Sequence, residues 1–590
     1  MTKKTTNGLI FGFVFHLLFA FTAKAQITPT VPFTTADHQR QCIGYITQWD
    51  AWKGTAQGVL PHSYNHLNID YSQYTILNFS FFGVAQDGSL HSADFRNKQI
   101  YQSGQVQSPA ALVNNDIYSS FDEFFLKGDV QAFWTVDTYL QGLGYVDNGN
   151  GTWKNTITNE TGSMSTGIIE VKQNPAFRSI FSVAHSHNVK VMASVGGWSM
   201  CKHYGDVAAD PAKRTKFTND CKKLIAMGFD GIDIDWEYPG RSGMNFTGNS
   251  ADFNNYALLI EEIRAAIGST KLLTGCFSPV VKPNEFDWAR LNNSMDYFNM
   301  MTYDYNGGWS VKAGHNAPLY DYPNEEYQGF SLDATLDSLI KRGVNLQKVN
   351  LGGAFYGRSV ICSGNADLNA TTVKVNVTVQ PDGPISTAAD YDNFPLDVWD
   401  GTPNYSYIVN NTGSWTPHWD NTAKVPYRTT GKYFLSYDDV TSIGAKAQYI
   451  KDHNLAGIII WQVFGDLMNL GSCVSNGNKF PFCPNTTSPL INKINEVFAS
   501  PSSSISGHTL SEQESTLVYP NPTNAEFQLN LSGKNLKNEI QIYNSTGQEV
   551  YKATEFNNTS TIDLSHLNKG IYLIRIANKE GITTTKLILE

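Results

Sequence analysis

The segment Asp230-Gly231-Ile232-Asp233-Ile234-Asp235-Trp236-Glu237 places four carboxylates in eight residues, and apolar side chains alternate with three of them. Along an extended strand, residues two apart share a face. Asp233, Asp235 and Glu237 therefore line one face, and Ile232, Ile234 and Trp236 the other. Each strand residue rises about 3.3 Å, so neighbours in the row stand roughly 7 Å apart. Two unit charges at that distance repel by about 2.4 kcal/mol at an effective dielectric near 20. Such a row should keep at least one proton at neutral pH, as a general acid requires. A carboxylic acid beside a stabilising carboxylate is suited to breaking a glycosidic bond. The row has no His or Cys next to it, which disfavours a transition metal, and it lacks the glycine-turn loop of an EF-hand. Neither metal nor cofactor is expected. The plainer alternative, a solvent-facing edge strand, depends on what surrounds the segment.

Eight strand-like apolar runs can be read in order: 42–49, 75–84, 189–198, 229–237, 272–280, 297–305, 349–358 and 455–466. Helical periodicity fills several intervals, at 213–227, 252–267 and 332–342, each followed by the glycine expected of a helix C-cap. Strands alternating with helices imply a parallel sheet, and eight units predict an α/β fold closed as a (β/α)8 TIM barrel. An open doubly wound sheet is the runner-up, but Gly44-Tyr45-Ile46-Thr47 carries no phosphate-binding glycine loop. Barrel strands are covered outside by helices, so the carboxylate row must face inward. Two intervals, 84–175 and 359–434, are too long for ordinary barrel loops, and both follow a strand. They should rise at the C-terminal rim, where barrel active sites are built.

At this level of detail the chain closely resembles the chitinases of glycoside hydrolase family 18 over residues 41–500. The resemblance rests on Asp230, Asp233, Asp235 and Glu237 as Asp-x-x-Asp-x-Asp-x-Glu, and on Ser194-Val195-Gly196-Gly197-Trp198 at the third strand. It rests further on Met301-Thr302-Tyr303-Asp304 at the sixth strand, Tyr356-Gly357-Arg358 at the seventh, and Trp461 at the eighth. It implies hydrolysis of chitin and chito-oligosaccharides assisted by the substrate's own acetamido group, with Glu237 as proton donor. Asp235 would hold the acetamido N–H, Asp233 would exchange a proton with Asp235, and Tyr303 would bond the acetamido oxygen. Trp461 would form the floor, and Tyr45, Trp198, Met301, Asp304 and Arg358 would shape neighbouring subsites. Ser194, Gly196 and Gly197 read as supporting residues that make room for bulky neighbours. The resemblance also implies that 359–434 is a small α+β insertion after strand 7. Enzymes of this family that trim N-linked glycans usually lack that insertion and the tryptophan. Non-catalytic lectins on the same barrel typically lose the acid that Glu237 supplies here.

The ends of the chain differ in composition. Lys3 and Lys4, an apolar run over 9–21 and Ala23-Lys24-Ala25 read as a signal peptide over residues 1–25. No apolar run is long enough to span a membrane, and a formal charge of -10 argues against nucleic acid as a partner. A catalytic region over 26–500 gives way to a Ser-rich linker at 501–515, then to a small β-sandwich at 516–590. That last region resembles the C-terminal sorting domain of type IX secretion substrates, through Val518-Tyr519-Pro520-Asn521-Pro522 and Lys586-Leu587-Ile588-Leu589-Glu590. It implies the type IX secretion machinery as a partner and a secreted protein; a monomer is expected. Seven cysteines in an oxidising setting allow three disulfides. Cys473–Cys483 and Cys201–Cys221 are the expected pairs, with Cys276 the odd thiol.

Overall fold

The computed structural model describes residues 36–499 apart from 37, 55–58, 98, 101, 164–168, 175–176, 245, 374–399, 470 and 475–478, and residues 516–589 apart from 520–521, 532–537, 545–547, 557–558 and 579–580. The expected signal peptide and linker lie outside the described residues. The chain divides into two units, Met1–Ala499 and Ser500–Glu590.

In the first unit, eight parallel strands close on themselves: β1 (Gln41–Thr47), β2 (Ile76–Val84), β3 (Lys190–Gly196), β4 (Gly231–Asp235), β5 (Leu272–Phe277), β6 (Tyr297–Met300), β7 (Val349–Ala354) and β8 (Gly457–Trp461). Each pairs with its neighbour in sequence, and β1 pairs with both β2 and β8, which completes the barrel. The alternation read from the sequence sorts these strands' side chains into two cores. Ile232, Ile234 and Trp236 join the outer core beneath the helices, with Val191, Val195 and Ile458. The inward set includes Ile43, Tyr45, Met192, Cys276 and Ile459. All of β4 is buried, which rules out a solvent-facing edge strand.

The helices that cover the barrel include α1 (Ile180–Ser186), α2 (Pro211–Met227), α3 (Ala251–Ile267), α4 (Trp288–Ser294), α5 (Leu332–Ile340), α6 (Val440–Asp452) and α7 (Pro489–Ala499). All three glycines expected to end these helices, Gly228, Gly268 and Gly343, adopt positive φ, a conformation that costs a glycine little. Several strands stop short of their expected ends: β4 ends at Asp235 rather than 237, β6 at Met300 rather than 305 and β7 at Ala354 rather than 358. The residues beyond leave the hydrogen-bond ladder and form the rim.

Both long intervals carry structure of their own. The first contains a pair of antiparallel strands, Asp129–Phe133 and Ile169–Asn174, and a three-stranded sheet over 145–163. The second forms a five-stranded antiparallel sheet with the helix Tyr405–Asn411, the α+β insertion expected after the seventh strand. The second unit places two antiparallel sheets around one core that includes Phe527, Leu529, Ile542, Ile574 and Leu587, as a small β-sandwich does.

The disulfide expectation needs correction. Cys473 and Cys483 are bonded, but Cys201 and Cys221 are both free and buried, as is Cys276. Cys201 directs its thiol to the carbonyls of Gly197 (3.2 Å) and Asp235 (3.0 Å), bracing the ends of β3 and β4.

One buried carboxylate closes the barrel's last turn. Asp466, beyond β8, accepts the backbone N–H of Leu490 (2.8 Å) and Ile491 (3.2 Å), capping the N-terminus of α7 from a distance in sequence. Burial outweighs these donors and pushes its carboxyl up to about 7. An unfolded Asp titrates near 3.9, so between about pH 4 and pH 7 the folded chain holds a proton that the unfolded chain releases. The contribution of Asp466 to stability is therefore complete below that window and falls as pH rises through it. Asp466→Asn keeps an acceptor for α7 and removes the titration. Thermal melts of both proteins should show the variant gaining on wild type from pH 5 to pH 8, whereas a constant offset would show that Asp466 does not titrate in this range.

Candidate active site

Four of the barrel strands converge on one carboxylate. Asp233 is fully buried and accepts from Tyr45 Oη of β1 (2.9 Å), Ser194 Oγ of β3 (2.8 Å), Thr274 Oγ1 of β5 (2.5 Å) and Asn299 Nδ2 of β6 (3.2 Å). Burial raises its carboxyl above the ordinary range, and the four donors oppose that rise. Asp235 has no such cradle. It is 3% exposed, and its Oδ1 has no hydrogen-bond partner among the described residues. Burial first, then the Glu237 and Asp233 carboxylates, push it well above the ordinary range, with the Cys276 thiol acting in the opposite direction. Burial thus favours the protonated form at both Asp233 and Asp235, and Glu237 is the stronger of the two charges acting on Asp235. Glu237 stands beyond the strand, half-buried, with its backbone N–H on Cys201 Sγ (3.3 Å).

The glycines of the third-strand motif have a steric reason. Gly196 and Gly197 both take positive φ, and the Gly197 N–H donates to the Asp235 carbonyl (2.8 Å). A Cβ on Gly196 would lie 2.1 Å from that carbonyl oxygen, and one on Gly197 would lie 2.4 Å from the Phe81 ring. The pair lets β3 pass close enough to hold the turn between Asp235 and Glu237.

The remaining candidates form two groups. Met301, Tyr303 and Tyr45 belong to the barrel's inner cluster, with Trp461 packed against it. Tyr45 lies 5.8 Å from the Trp461 ring, which also stacks on Phe81 at 5.7 Å and lies 6.4 Å from Trp49. Asp304 accepts from Tyr356 Oη (2.6 Å) and Arg358 Nε (2.9 Å), and the Arg358 guanidinium lies over the Trp309 ring at 4.9 Å. Trp198 follows Gly197 directly and is 36% exposed.

Sequence reasoning left out Thr274, Asn299, Cys276, Trp49, Phe81 and Trp309. The two-residue period that singled out Asp233 would have marked Thr274, two before Cys276, and Asn299, two before Met301. The aromatic rings around Trp461 come from β1, from the turn that follows it and from β2, and share no period.

A closed eight-stranded barrel with an acidic row at the C-terminal end of its fourth strand is the architecture of a glycoside hydrolase. Residues 41–466 match the family model described as glycosyl hydrolases family 18, and the chain belongs to that family. Residues 517–590 match the secretion system C-terminal sorting domain. Among similar proteins, Chitinase A1 of Niallia circulans is 29% identical over 456 residues, 72% of this chain and 56% of that protein. Chitinase ChiA of Flavobacterium johnsoniae is 26% identical over 517 residues, 77% of this chain but 28% of its own length. The crystal structure of the Ostrinia furnacalis Group IV chitinase shares the fold, with a TM-score of 0.54 and 23% identity, covering 78% of this chain and 100% of that one.

Thr274→Val removes the shortest donor to Asp233 and keeps the side-chain shape. A lost hydrogen bond to a charged group is worth about 1.5–3 kcal/mol, so the ionised form becomes harder to reach by about one pH unit or more. The acidic limb of the activity–pH profile should move upward by that amount. An unchanged limb would mean that Asp233 does not titrate in the working range.

Proposed function

We propose that the protein is a secreted chitinase that hydrolyses β-1,4 links between N-acetylglucosamine units, with Glu237 as general acid and base. The observation that carries this reading is the buried, unpartnered Oδ1 of Asp235 beside an inner cluster containing Tyr45, Met301 and Tyr303. Leaving such an oxygen without a donor is costly, and a substrate that brings an N–H removes the cost. An N-acetyl group supplies one N–H for Asp235 and one carbonyl oxygen for the Tyr303 hydroxyl. The chitinase relatives and the family of the chain support the same substrate class.

In this reading Glu237 protonates the leaving glycosidic oxygen. The acetamido oxygen, turned toward the anomeric carbon by Tyr303, attacks as the old bond breaks, giving an oxazolinium ion. Its positive charge develops beside Asp235, which keeps the N–H, while Asp233 shares a proton with Asp235 and is steadied by its four donors. Water then adds to the anomeric carbon as Glu237 takes its proton. The ring opens back to the acetamide, configuration is retained and Glu237 is ready again. Trp461 supplies an apolar floor, and Trp198, Asp304 and Arg358 shape adjoining positions.

Glu237→Gln removes the proton and keeps the shape. It should lower turnover on N-acetylglucosamine oligomers by about 10²–10⁴-fold while oligomer binding stays measurable. In the same assay the wild-type enzyme should leave fully deacetylated chitosan uncut. Comparable release of reducing ends from both polymers would point to a protein nucleophile.

We also assign 1–25 to a signal peptide, 501–515 to a linker and 516–590 to sorting by the type IX secretion machinery. Of the tail's tyrosines, Tyr572 is buried and Tyr551 packs partly buried against the same core, which favours export over polymer binding as the tail's role. A chain truncated at Ser500 should keep its activity and chitin affinity but stay in the periplasm of its native host. A marked loss of chitin binding on truncation would make the tail a substrate-binding module.

A further inference from the structure

Asp304 is one of few non-glycine residues with positive φ, at +57°, and it directly follows Tyr303. Asp tolerates this conformation better than most residues, yet it still needs support from its surroundings. At the backbone that support comes from Asn316, which is 1% exposed. Asn316 Oδ1 accepts the backbone N–H of Asp304 (3.0 Å), and its main-chain carbonyl accepts the N–H of Tyr305 (3.0 Å). Two consecutive amides after Tyr303 thus hang from a single side chain and its own backbone.

The rest of Asn316 is tied elsewhere. Its N–H donates to Ser436 Oγ (2.9 Å), on the insertion strand Tyr433–Ser436, and its Nδ2 points to the Tyr356 carbonyl (3.5 Å) beyond β7. Ser436 pairs in register with Arg358, and both Tyr356 and Arg358 donate to the Asp304 carboxylate. The connections close a circuit: Asp304 to Arg358, Arg358 to Ser436, Ser436 to Asn316, and Asn316 back to Asp304. It joins the end of β6, the end of β7 and the insertion sheet. The charged and titratable groups around it are Asp304, Arg358, Tyr303, Tyr305 and Tyr356, the His315–Asp420 pair and, farther off, the buried Lys446–Asp438 pair.

We infer that Asn316 is a positioning residue: its amide holds the backbone of Asp304 in the left-handed conformation, and so sets the direction of the Tyr303 hydroxyl and the Asp304 carboxylate. Through Ser436 the same residue couples the insertion to the pocket. The inference rests on the reading of Tyr303 and Asp304 as substrate-binding groups, but its structural part can be tested without substrate.

Asn316→Ala removes both side-chain bonds. Displacement of a positioning group by about 1 Å costs on the order of 10²-fold, so kcat on N-acetylglucosamine oligomers should fall about 10–100-fold, with KM changed less. Asn316→Asp separates positioning from packing. When protonated, its carboxyl offers one donor and one acceptor, as the amide does; when ionised, it loses the donor and repels Asp304. Its activity relative to wild type should therefore recover toward low pH, while that of Asn316→Ala should stay equally low at every pH. Hydrogen exchange of the peptide spanning 301–306 supplies the substrate-free readout, and should speed up in Asn316→Ala while β7 stays protected.

Unchanged exchange in that peptide would overturn the inference whatever the substrate. So would a folded Asn316→Ala within about threefold of wild-type kcat, or equal pH responses in the two variants. A wild-type enzyme inactive on N-acetylglucosamine oligomers would instead refute the proposed function, leaving the exchange experiment to decide the role of Asn316.

Discussion

The barrel is organised around a buried carboxylate that must be kept from costing the fold its stability. An ionised group removed from water carries a penalty of several kcal/mol unless donors replace the lost solvent. Asp233 obtains its donors from Tyr45, Ser194, Thr274 and Asn299, which come from four different strands. No local segment can supply such a set. β3 and β5 pair directly with β4, and the closing of the sheet on itself, β1 on β2 and β8, lets β1 and β6 reach the same carboxylate. The donors saturate Asp233 and leave Asp235 short of partners, so two carboxylates two residues apart have unlike environments. Carboxyls held above their ordinary range, next to an oxygen that still needs a donor, are the chemical asset of the site.

Access to that asset depends on how the strands end. The ladder ends at Asp235, whose carbonyl takes the last bond to β3, from the Gly197 N–H, and the Cys201 thiol as well, and Glu237 is carried past the strand. Beyond β6, Asp304 takes positive φ and is held from three directions. The rim is thus built from backbone departures fixed by neighbours. This explains why small or unusual residues gather there: Gly196 and Gly197 admit an approach that any Cβ would block.

The cysteines show how environment decides chemistry that composition leaves open. Seven cysteines in a chain that carries a secretion sorting domain make several disulfides reasonable. Five are instead buried as thiols, two of them in the site's own scaffold: Cys201 under the β4 turn and Cys276 at 2.9 Å from Tyr45 Oη. The bonded pair, Cys473–Cys483, lies in the segment between β8 and α7.

What the amino-acid sequence determined by itself were features with a short period or a local rule. The two-residue alternation in 230–237 placed Asp233 and Asp235 on one face, because side-chain direction along a strand depends only on parity, whereas Glu237 falls beyond the strand where parity no longer applies. The strand and helix order implied the barrel, and the glycine-ended helices marked α2 and α3, because those signals are written in consecutive residues. The tertiary structure alone decided which carboxylate is satisfied and which is not. The donors to Asp233 are spread from residue 45 to residue 299, and their convergence follows from strand closure. It alone showed that Cys201 serves carbonyls at hydrogen-bond distance rather than Cys221. It also showed that Asn316, in a stretch with no periodic signal, holds Asp304. Hydrogen bonds are short-ranged and directional, so their partners are settled by positions in space, which a linear pattern does not record.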